Sequence, residues 1–212
     1  MPTENLTEFL SEHEKTYDAL AEQYEDRVAT LLPVTQHAVD WMSEHVPKNG
    51  FILELGCGVG LAASLFFEKQ FSVTGIDLSL QMLAYAKKRA PGVAFIQGDF
   101  LTTDFNAPFD GVFAFAFIHL FPKEIAQRIL EKIYSILKTE GILYIGTTQS
   151  SQSKEGWETK VDYATQQKRY RKHWTREEFM DALTQAQFTI VDQKDYADPF
   201  GKVWMDVIAK KM

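Results

Sequence analysis

The chain has 212 residues, of which 45% are hydrophobic and 24% are charged, a composition that is ordinary for a folded globular protein and excludes extensive disorder. Its formal net charge of -7 disfavours nonspecific binding to nucleic acid or to an anionic membrane surface. The single cysteine rules out an internal disulfide, and no uninterrupted apolar run reaches the length of a membrane span, so a cytoplasmic protein without membrane insertion is expected.

The N-terminal segment has the apolar periodicity of helices. Apolar side chains recur at spacings of three, four and seven over residues 6–31, which places them on one helical face. Pro33 is predicted to interrupt this helix, and a second apolar stripe follows over residues 34–42. Residues 1–48 are therefore expected to form a helical cap on a single domain that comprises residues 1–212.

Strand-like segments follow at regular intervals. Five apolar runs are separated by helical segments, an alternation that is typical of a parallel sheet with helices on both faces. The last two β-like runs differ, because the connection between them is too short for a helical crossover and makes the pair antiparallel. The sequence therefore predicts an α/β fold with a seven-stranded, mostly parallel sheet and an antiparallel C-terminal hairpin. The predicted strands comprise residues 51–55, 71–76, 93–97, 109–116, 142–146, 188–191 and 203–209.

A glycine-rich turn follows the first strand. Residues 52–60 read Ile-Leu-Glu-Leu-Gly-Cys-Gly-Val-Gly, a pattern that indicates a buried strand turning into a helix with its backbone open to a ligand. A dinucleotide-binding turn would have glycine in place of Leu61, and Glu54 would face any pyrophosphate in the turn. Asp77 ends the second strand, 21 residues after Gly56, where a carboxylate can bind ribose hydroxyls. These residues favour a nucleoside cofactor that carries positive charge and no phosphate.

With this turn, the chain resembles the class I S-adenosylmethionine-dependent methyltransferases of the small-molecule type. The resemblance also rests on Ile-Asp-Leu-Ser at residues 76–79, Gly-Asp-Phe at 98–100 and the apolar strand at 109–115. It implies a Rossmann-like fold and S-adenosylmethionine as cofactor, with Glu54 near its amino-acid part, Asp77 on the ribose and Asp99 on the adenine amino group. The cofactor-binding residues that it implies are Tyr17, Tyr24, Glu54, Gly56, Cys57, Gly58, Gly60, Asp77, Leu78, Asp99, Phe100, Phe115 and Ala116.

The segment after the fifth strand, about 147–174, is expected to be an insertion on the substrate side. Members of this family often build the acceptor pocket there, and basic and aromatic residues alternate over residues 168–174. The alternative interpretation of that basic run is a solvated connecting strand, and the sequence does not decide between the two. We expect a small acceptor with an aromatic or anionic part. The predicted acceptor-binding residues are Trp157, Tyr163, Arg169, Tyr170, Arg171 and Trp174.

The resemblance implies in-line displacement at the methyl group, for which a general base is optional. His119 follows the fourth strand and is the candidate base for a hydroxyl or carbon acceptor, whereas the alternative interpretation is a loop histidine packed against Phe117 and Phe121. Two other functions stay open at this stage: a cofactor-binding protein without turnover and a methyltransferase that acts on a macromolecule. Binding to nucleic acid is not expected, because the residues after the fourth strand do not match a base-modifying motif.

Overall fold

The computed structural model describes residues 3–160, 163–198 and 200–212. The helices are α1 (Thr3–Asp26), α2 (Val28–Ser43), α3 (Leu61–Glu68), α4 (Leu80–Arg89), α5 (Lys123–Ile136) and α6 (Arg176–Gln185). The strands are β1 (Phe51–Leu55), β2 (Ser72–Asp77), β3 (Ala94–Gln97), β4 (Phe109–Phe115), β5 (Leu137–Thr148), β6 (Lys154–Lys160), β7 (Gln167–His173), β8 (Phe188–Ala197) and β9 (Val203–Lys211). A short 3-10 helix, Ile118–Leu120, follows β4.

The main sheet has the strand order β3-β2-β1-β4-β5-β9-β8. Neighbouring strands from β3 to β5 are parallel, whereas β9 is antiparallel to both β5 and β8. The strand order reverses between β1 and β4, and ligands of open α/β sheets bind at such a reversal, beyond the carboxyl ends of the strands. The predicted seven-stranded sheet with an antiparallel C-terminal hairpin is confirmed.

Two apolar cores cover the two faces of this sheet. Alternate residues of a strand point to opposite faces, so Leu143 and Ile145 of β5 pack with α5 and α6, whereas Ile142 and Tyr144 pack with α2 and α3. Because both faces are buried, the central strands are apolar nearly throughout their length. The cores fix the strand ends, and thereby fix the position of the loops that carry the candidate site.

The break between the first two helices lies at a different residue from the predicted one. The prediction of a break at Pro33 is wrong: α1 ends at Asp26, α2 begins at Val28, and Pro33 lies inside α2. Because proline lacks an amide hydrogen, α2 continues through Pro33 without the hydrogen bond that this residue would otherwise donate to the carbonyl of residue 29. The chain leaves helical geometry at Arg27 instead, where ψ is -1°.

The segment after β5 contains a hairpin that the sequence did not predict. Strands β6 and β7 pair antiparallel as a separate two-stranded sheet, and β7 packs against α1, where the Thr16 hydroxyl donates a hydrogen bond to the Lys168 carbonyl at 2.6 Å. The basic run is therefore a strand, as one interpretation proposed, but it is not a solvated one. Arg169, Arg171 and Lys172 are all buried.

Candidate functional site

The glycine turn after β1 has a backbone that only glycine adopts readily. The φ angles of Gly56, Gly58 and Gly60 are +62°, +51° and +76°, in the left-handed region that other residues avoid. A Cβ on Gly60 would lie 2.8 Å from the Cβ of Ala86, so this glycine also permits close packing between the turn and α4. The turn thus places backbone that lacks side chains at residues 56, 58 and 60 at the carboxyl end of β1 and leads the chain directly into α3.

Asp77, at the end of β2, is held in a fixed orientation beside this turn. Its carboxylate accepts hydrogen bonds from the Gly58 amide at 2.8 Å and from the Ser79 amide at 2.9 Å. Burial raises the pKa of Asp77, and the backbone donors act in the opposite direction because they stabilise the charged form. The carboxylate therefore joins the glycine turn to the start of α4 and faces the space between them.

Glu54 of β1 supplies a second buried carboxyl group. Burial raises the pKa of Glu54 to about 8; the amide of Ala63, at the start of α3, lowers it in part, and the nearby Asp77 charge raises it further. Within the described part of the chain, Glu54 Oε2 and Asp99 Oδ2 are buried without a hydrogen-bond partner. Two carboxyl oxygens in such positions require hydrogen-bond partners from a ligand or from water.

These groups line a cavity of about 260 Å³ at the carboxyl ends of the parallel strands. All of the predicted cofactor-binding residues except Gly60 line it, and Gly60 lies behind the lining against Ala86. Ala116, just after β4, has a φ of +56° and donates its amide to the Gly146 carbonyl at 3.1 Å. The predicted cofactor residues that the cavity brings together are Tyr17, Tyr24, Glu54, Gly56, Cys57, Gly58, Asp77, Leu78, Asp99, Phe100, Phe115 and Ala116.

Helix α1 covers the cavity, and Asp18 joins it to the N-terminal end of α4. One oxygen of this carboxylate accepts from the Ser79 hydroxyl at 2.6 Å and from the Gln81 amide at 3.1 Å, at the first turn of α4. The tether places Tyr17 and Tyr24 over the opening, and the Tyr24 ring stacks on Tyr163 at 4.9 Å. We call Tyr17, Tyr24 and Tyr163 the roof of the cavity. The sequence pattern indicated the two tyrosines of α1 but not the role of Asp18.

The predicted acceptor residues separate into two groups. Tyr163, Arg169 and Arg171 line the cavity, whereas Trp157, Tyr170 and Trp174 do not. Trp174 is fully buried in the core beneath α6, next to Phe179, and Trp157 and Tyr170 pack edge to face outside the lining. Alternation along β7 explains part of this separation, because residues 169 and 171 share one face of the strand and residue 170 is on the other.

His119 is buried in the 3-10 helix after β4 and lines the cavity. Its Nδ1 lies 3.1 Å from the Thr147 hydroxyl, and its ring meets Trp204 at a centroid distance of 6.1 Å in an edge-to-face arrangement. The hydrogen bond fixes the orientation of the imidazole. The ring is therefore a packed side chain that also lines the cavity, with Thr147 and Trp204 as neighbours, and its role as a general base stays a prediction.

His13 is a cavity residue that the sequence analysis missed. It lies on the buried face of α1, its ring stacks on Phe121 at 6.4 Å, and its Nε2 accepts a long hydrogen bond from the Tyr170 amide at 3.4 Å. Burial, together with the neighbouring Arg169 charge, lowers the pKa of His13 to about 4, so the ring is neutral at neutral pH. The spacing of four between Phe9, His13 and Tyr17 was the signal that could have located it.

Neither a metal-binding cluster nor a membrane-spanning helix is present among the described residues. Within residues 3–160, 163–198 and 200–212, His, Cys, Asp and Glu side chains form no group of three that could hold a metal ion. Over the same ranges, none of the helices has both the length and the apolar character needed to cross a membrane. Cys57 is buried below the glycine turn and its pKa is raised well above the usual value, mainly by burial.

Comparison with known proteins places this site in context. A family model described as a methyltransferase domain matches residues 52–141. The uncharacterized methyltransferase OB1106 of Oceanobacillus iheyensis is 30% identical over 158 residues, which are 71% of this chain and 73% of OB1106. YqeM of Bacillus subtilis (strain 168) is 33% identical over 133 residues, which are 60% of this chain and 53% of YqeM, so the match spans about half the length of that relative.

Solved structures share the fold. Burkholderia thailandensis 1,6-didemethyltoxoflavin-N1-methyltransferase, in a crystal structure with bound 1,6-didemethyltoxoflavin and S-adenosylhomocysteine, superposes with a TM-score of 0.77. The match covers 100% of this chain and 91% of that chain at 22% sequence identity. At this identity the likeness shows a common fold.

Proposed function

The chain belongs to the S-adenosylmethionine-dependent methyltransferase family, and from this premise we propose that it transfers the methyl group of S-adenosylmethionine to a small-molecule acceptor. The observation that carries the proposal is the cavity of about 260 Å³, which combines three carboxylates at the strand ends with a roof. A roofed cavity of this size excludes a macromolecular chain more readily than it excludes a small acceptor.

The residues at the strand ends fit the cofactor of this family. S-adenosylmethionine carries an ammonium group and an adenine amino group, and the partnerless oxygens of Glu54 and Asp99 are acceptors that such donors satisfy. In this assignment Asp77 binds the ribose hydroxyls, Leu78 and Phe100 contact the adenine ring, and the backbone of the glycine turn approaches the methionine part. The carbonyl groups of Phe115 and Ala116 are further acceptors for the ammonium group.

Catalysis then depends mainly on alignment. The methyl donor already carries a good leaving group, so the protein must hold an acceptor atom in line with the methyl carbon, and such alignment supplies roughly 7 to 11 kcal/mol in model reactions. His119 is the general base that we assign where the acceptor is a hydroxyl or an acidic carbon, with Thr147 orienting its ring. The wall on the acceptor side comprises His13, Arg169 and Arg171 together with Tyr163 of the roof.

Two features support a small acceptor. The toxoflavin-type methyltransferase that shares the fold is described with a small molecule bound beside S-adenosylhomocysteine. The net charge of -7 and the position of the buried arginines inside the cavity leave little basis for binding the phosphates of a nucleic acid. A cytoplasmic location, which rests on the single cysteine, stays a prediction.

Ligand-dependent stabilisation tests the cofactor assignment. At a concentration of 100 times the dissociation constant, a ligand stabilises the folded state by about 2.7 kcal/mol, which corresponds to roughly 5 to 11 °C in Tm at this chain length. We expect S-adenosylmethionine and S-adenosylhomocysteine to produce this shift and NAD to produce none. A shift with NAD alone, or with none of the three compounds, would refute the assignment.

Turnover requires a separate assay. Incubation with a labelled methyl donor and a collection of small acids, phenols and amines is expected to yield labelled product, and replacing His119 with asparagine should lower kcat while leaving S-adenosylhomocysteine binding intact. Binding of S-adenosylhomocysteine without transfer to any acceptor would instead identify a cofactor-binding protein without turnover.

A further inference from the structure

We propose that Arg169 and Arg171 form an anion-recognition site in the cavity, and that the acceptor carries a carboxylate that they bind. This inference rests on the proposed function and deepens it, because it names the chemical class of the acceptor. The feature that carries it is a pair of buried guanidinium groups on the wall of the cavity. Guanidinium groups bind carboxylates in a planar, bidentate geometry that few other side chains match.

The two arginines are placed by the register of β7. They are two residues apart in the strand, so both side chains point to the same face, and that face turns toward the cavity. Each side chain is only 8% exposed. Arg171 donates a hydrogen bond to the Thr148 hydroxyl at the end of β5, which aligns its guanidinium with the carboxyl ends of the parallel strands. Arg171 is therefore held in a fixed position on the hairpin wall of the cavity, beside Arg169.

Glu158, opposite Arg169 in β6, is an acidic neighbour of both cations. One of its oxygens lies 3.8 Å from Arg169 and 3.9 Å from Arg171, distances that allow electrostatic attraction but exceed those of direct hydrogen bonds. Its other oxygen lies 3.0 Å from His173 Nε2. This partly exposed carboxylate thus lies near three basic residues, and a ligand carboxylate at the arginines would meet guanidinium groups whose burial strengthens electrostatic attraction.

The distribution of charge along the cavity separates two ligand sites. The carboxylates Glu54, Asp77 and Asp99 lie at the ends of the parallel strands, where they suit the cationic cofactor. The arginine pair lies on the hairpin wall, beside the neutral ring of His13 and the apolar residue Phe121. A small acid with an apolar or aromatic body matches this wall: its body contacts the rings and its carboxylate meets the guanidinium groups.

The competing assignment is that the arginines bind the carboxylate of the cofactor itself. Arg169 contacts Tyr17, and Tyr17 also lies near Asp77, so the two ligand sites adjoin. The two assignments predict different losses when an arginine is replaced. An acceptor site loses affinity for the acid and keeps affinity for S-adenosylhomocysteine, whereas a cofactor site loses affinity for S-adenosylhomocysteine.

The test uses the full chain saturated with S-adenosylhomocysteine and matched pairs of probes: benzoate with benzamide, salicylate with salicylamide, and cinnamate with cinnamamide. Calorimetric titration should show binding of at least one acid that exceeds binding of its amide by about tenfold or more, the range for a hydrogen-bonded ion pair. Arg171→Met should abolish this preference, and Arg171→Lys should retain only part of it, because the ammonium group keeps the charge but not the planar donor geometry.

Lys168→Ala is the matched control. Lys168 lies on the same strand and its replacement removes the same unit of charge, but its side chain is exposed outside the cavity, so the preference for acids should not change. Retained Tm and S-adenosylhomocysteine affinity would show that the Arg171 variants are folded. Equal affinity for acids and amides, no binding of any acid, or loss of S-adenosylhomocysteine affinity in Arg171→Met would overturn the proposal. Failure of the wild-type chain to bind S-adenosylhomocysteine would instead refute the proposed function.

Discussion

Replacement of Glu54 by glutamine is expected to stabilise the ligand-free protein at high pH. In the folded state the pKa of Glu54 is about 8 because the group is buried, whereas its ordinary value is 4.5. At 1.36 kcal/mol per pKa unit, the difference between these two pKa values corresponds to at most about 4.8 kcal/mol of destabilisation. This maximum is reached at a pH where Glu54 is ionised in both the folded and the unfolded chain. Glutamine removes this destabilisation, but its buried amide costs about 1 to 3 kcal/mol if one of its hydrogen-bond donors stays unpaired. A net stabilisation of about 2 kcal/mol or more is therefore expected at pH 9.

The sign of the effect depends on pH. Between pH 4.5 and 8 the unfolded chain releases the Glu54 proton while the folded chain retains it, so this group lowers the stability of the wild-type protein progressively as the pH rises. The advantage of Glu54→Gln should thus be absent at pH 5 and complete above pH 8. Differential scanning calorimetry across this range should show an increase in Tm of roughly 4 to 8 °C at pH 9 for a stabilisation of about 2 kcal/mol.

A matched control separates burial from loss of charge alone. Glu68 is exposed at the end of α3, and Glu68→Gln should change stability by less than about 0.5 kcal/mol at either pH. The same Glu54→Gln protein should bind S-adenosylmethionine more weakly than the wild type, since a carboxylate near the cationic cofactor is lost. A Glu54→Gln variant that is no more stable than the wild type at pH 9 would show that the carboxyl group is not strained by burial.

Three further predictions concern other parts of the protein. Gly60→Ala places a Cβ 2.8 Å from the Cβ of Ala86 at a φ of +76°, so it should destabilise the fold by about 2 kcal/mol or more in urea denaturation. Asp77→Asn should weaken S-adenosylhomocysteine binding by about tenfold or more in calorimetry, because a charged acceptor for hydroxyl groups is lost. Glu178→Gln leaves the buried Lys172 ammonium, 2.9 Å away, without its charged partner and should cost about 2 kcal/mol at pH 7. Although burial opposes it, hydrogen bonding to Lys172 lowers the pKa of Glu178 to about 2, so this cost should disappear as the pH falls from 4.5 toward 2.

The sequence predicted the main sheet well because its strands are buried on both faces. Continuous apolar runs identify β1, β2, β4 and the centre of β5, and a short connection identifies the antiparallel pair at the C-terminus. The hairpin β6–β7 was not predicted, because its strands lack such continuous apolar runs. Its strands are rich in charge, and the burial of residues such as Arg169 depends on α1 and the cavity, which local periodicity does not reveal.

In the candidate site, too, some residues were predictable from the sequence and others were not. Glycines and carboxylates that recur at fixed spacing marked the strand ends, and the structure brings Glu54, Asp77 and Asp99 to one cavity. The roles of aromatic residues were harder to predict, because the same type of side chain can pack in a core or contact a bound ligand. Trp174 belongs to the core, whereas His13 lines the cavity, and only the packing of distant segments distinguishes them.

The hydrogen bond from Thr16 to the Lys168 carbonyl joins residues that are 152 positions apart, and this separation has a consequence for synthesis on the ribosome. At 5 to 20 residues per second, α1 leaves the exit tunnel roughly 8 to 30 s before β7 is complete. The parallel strands β1 to β4 can associate during that interval, whereas the apolar face of α1 has no hairpin to cover it. A nascent chain stalled before residue 167 would therefore expose Phe9 and Leu6 to chaperones, and closure of the roof would be among the last events of maturation.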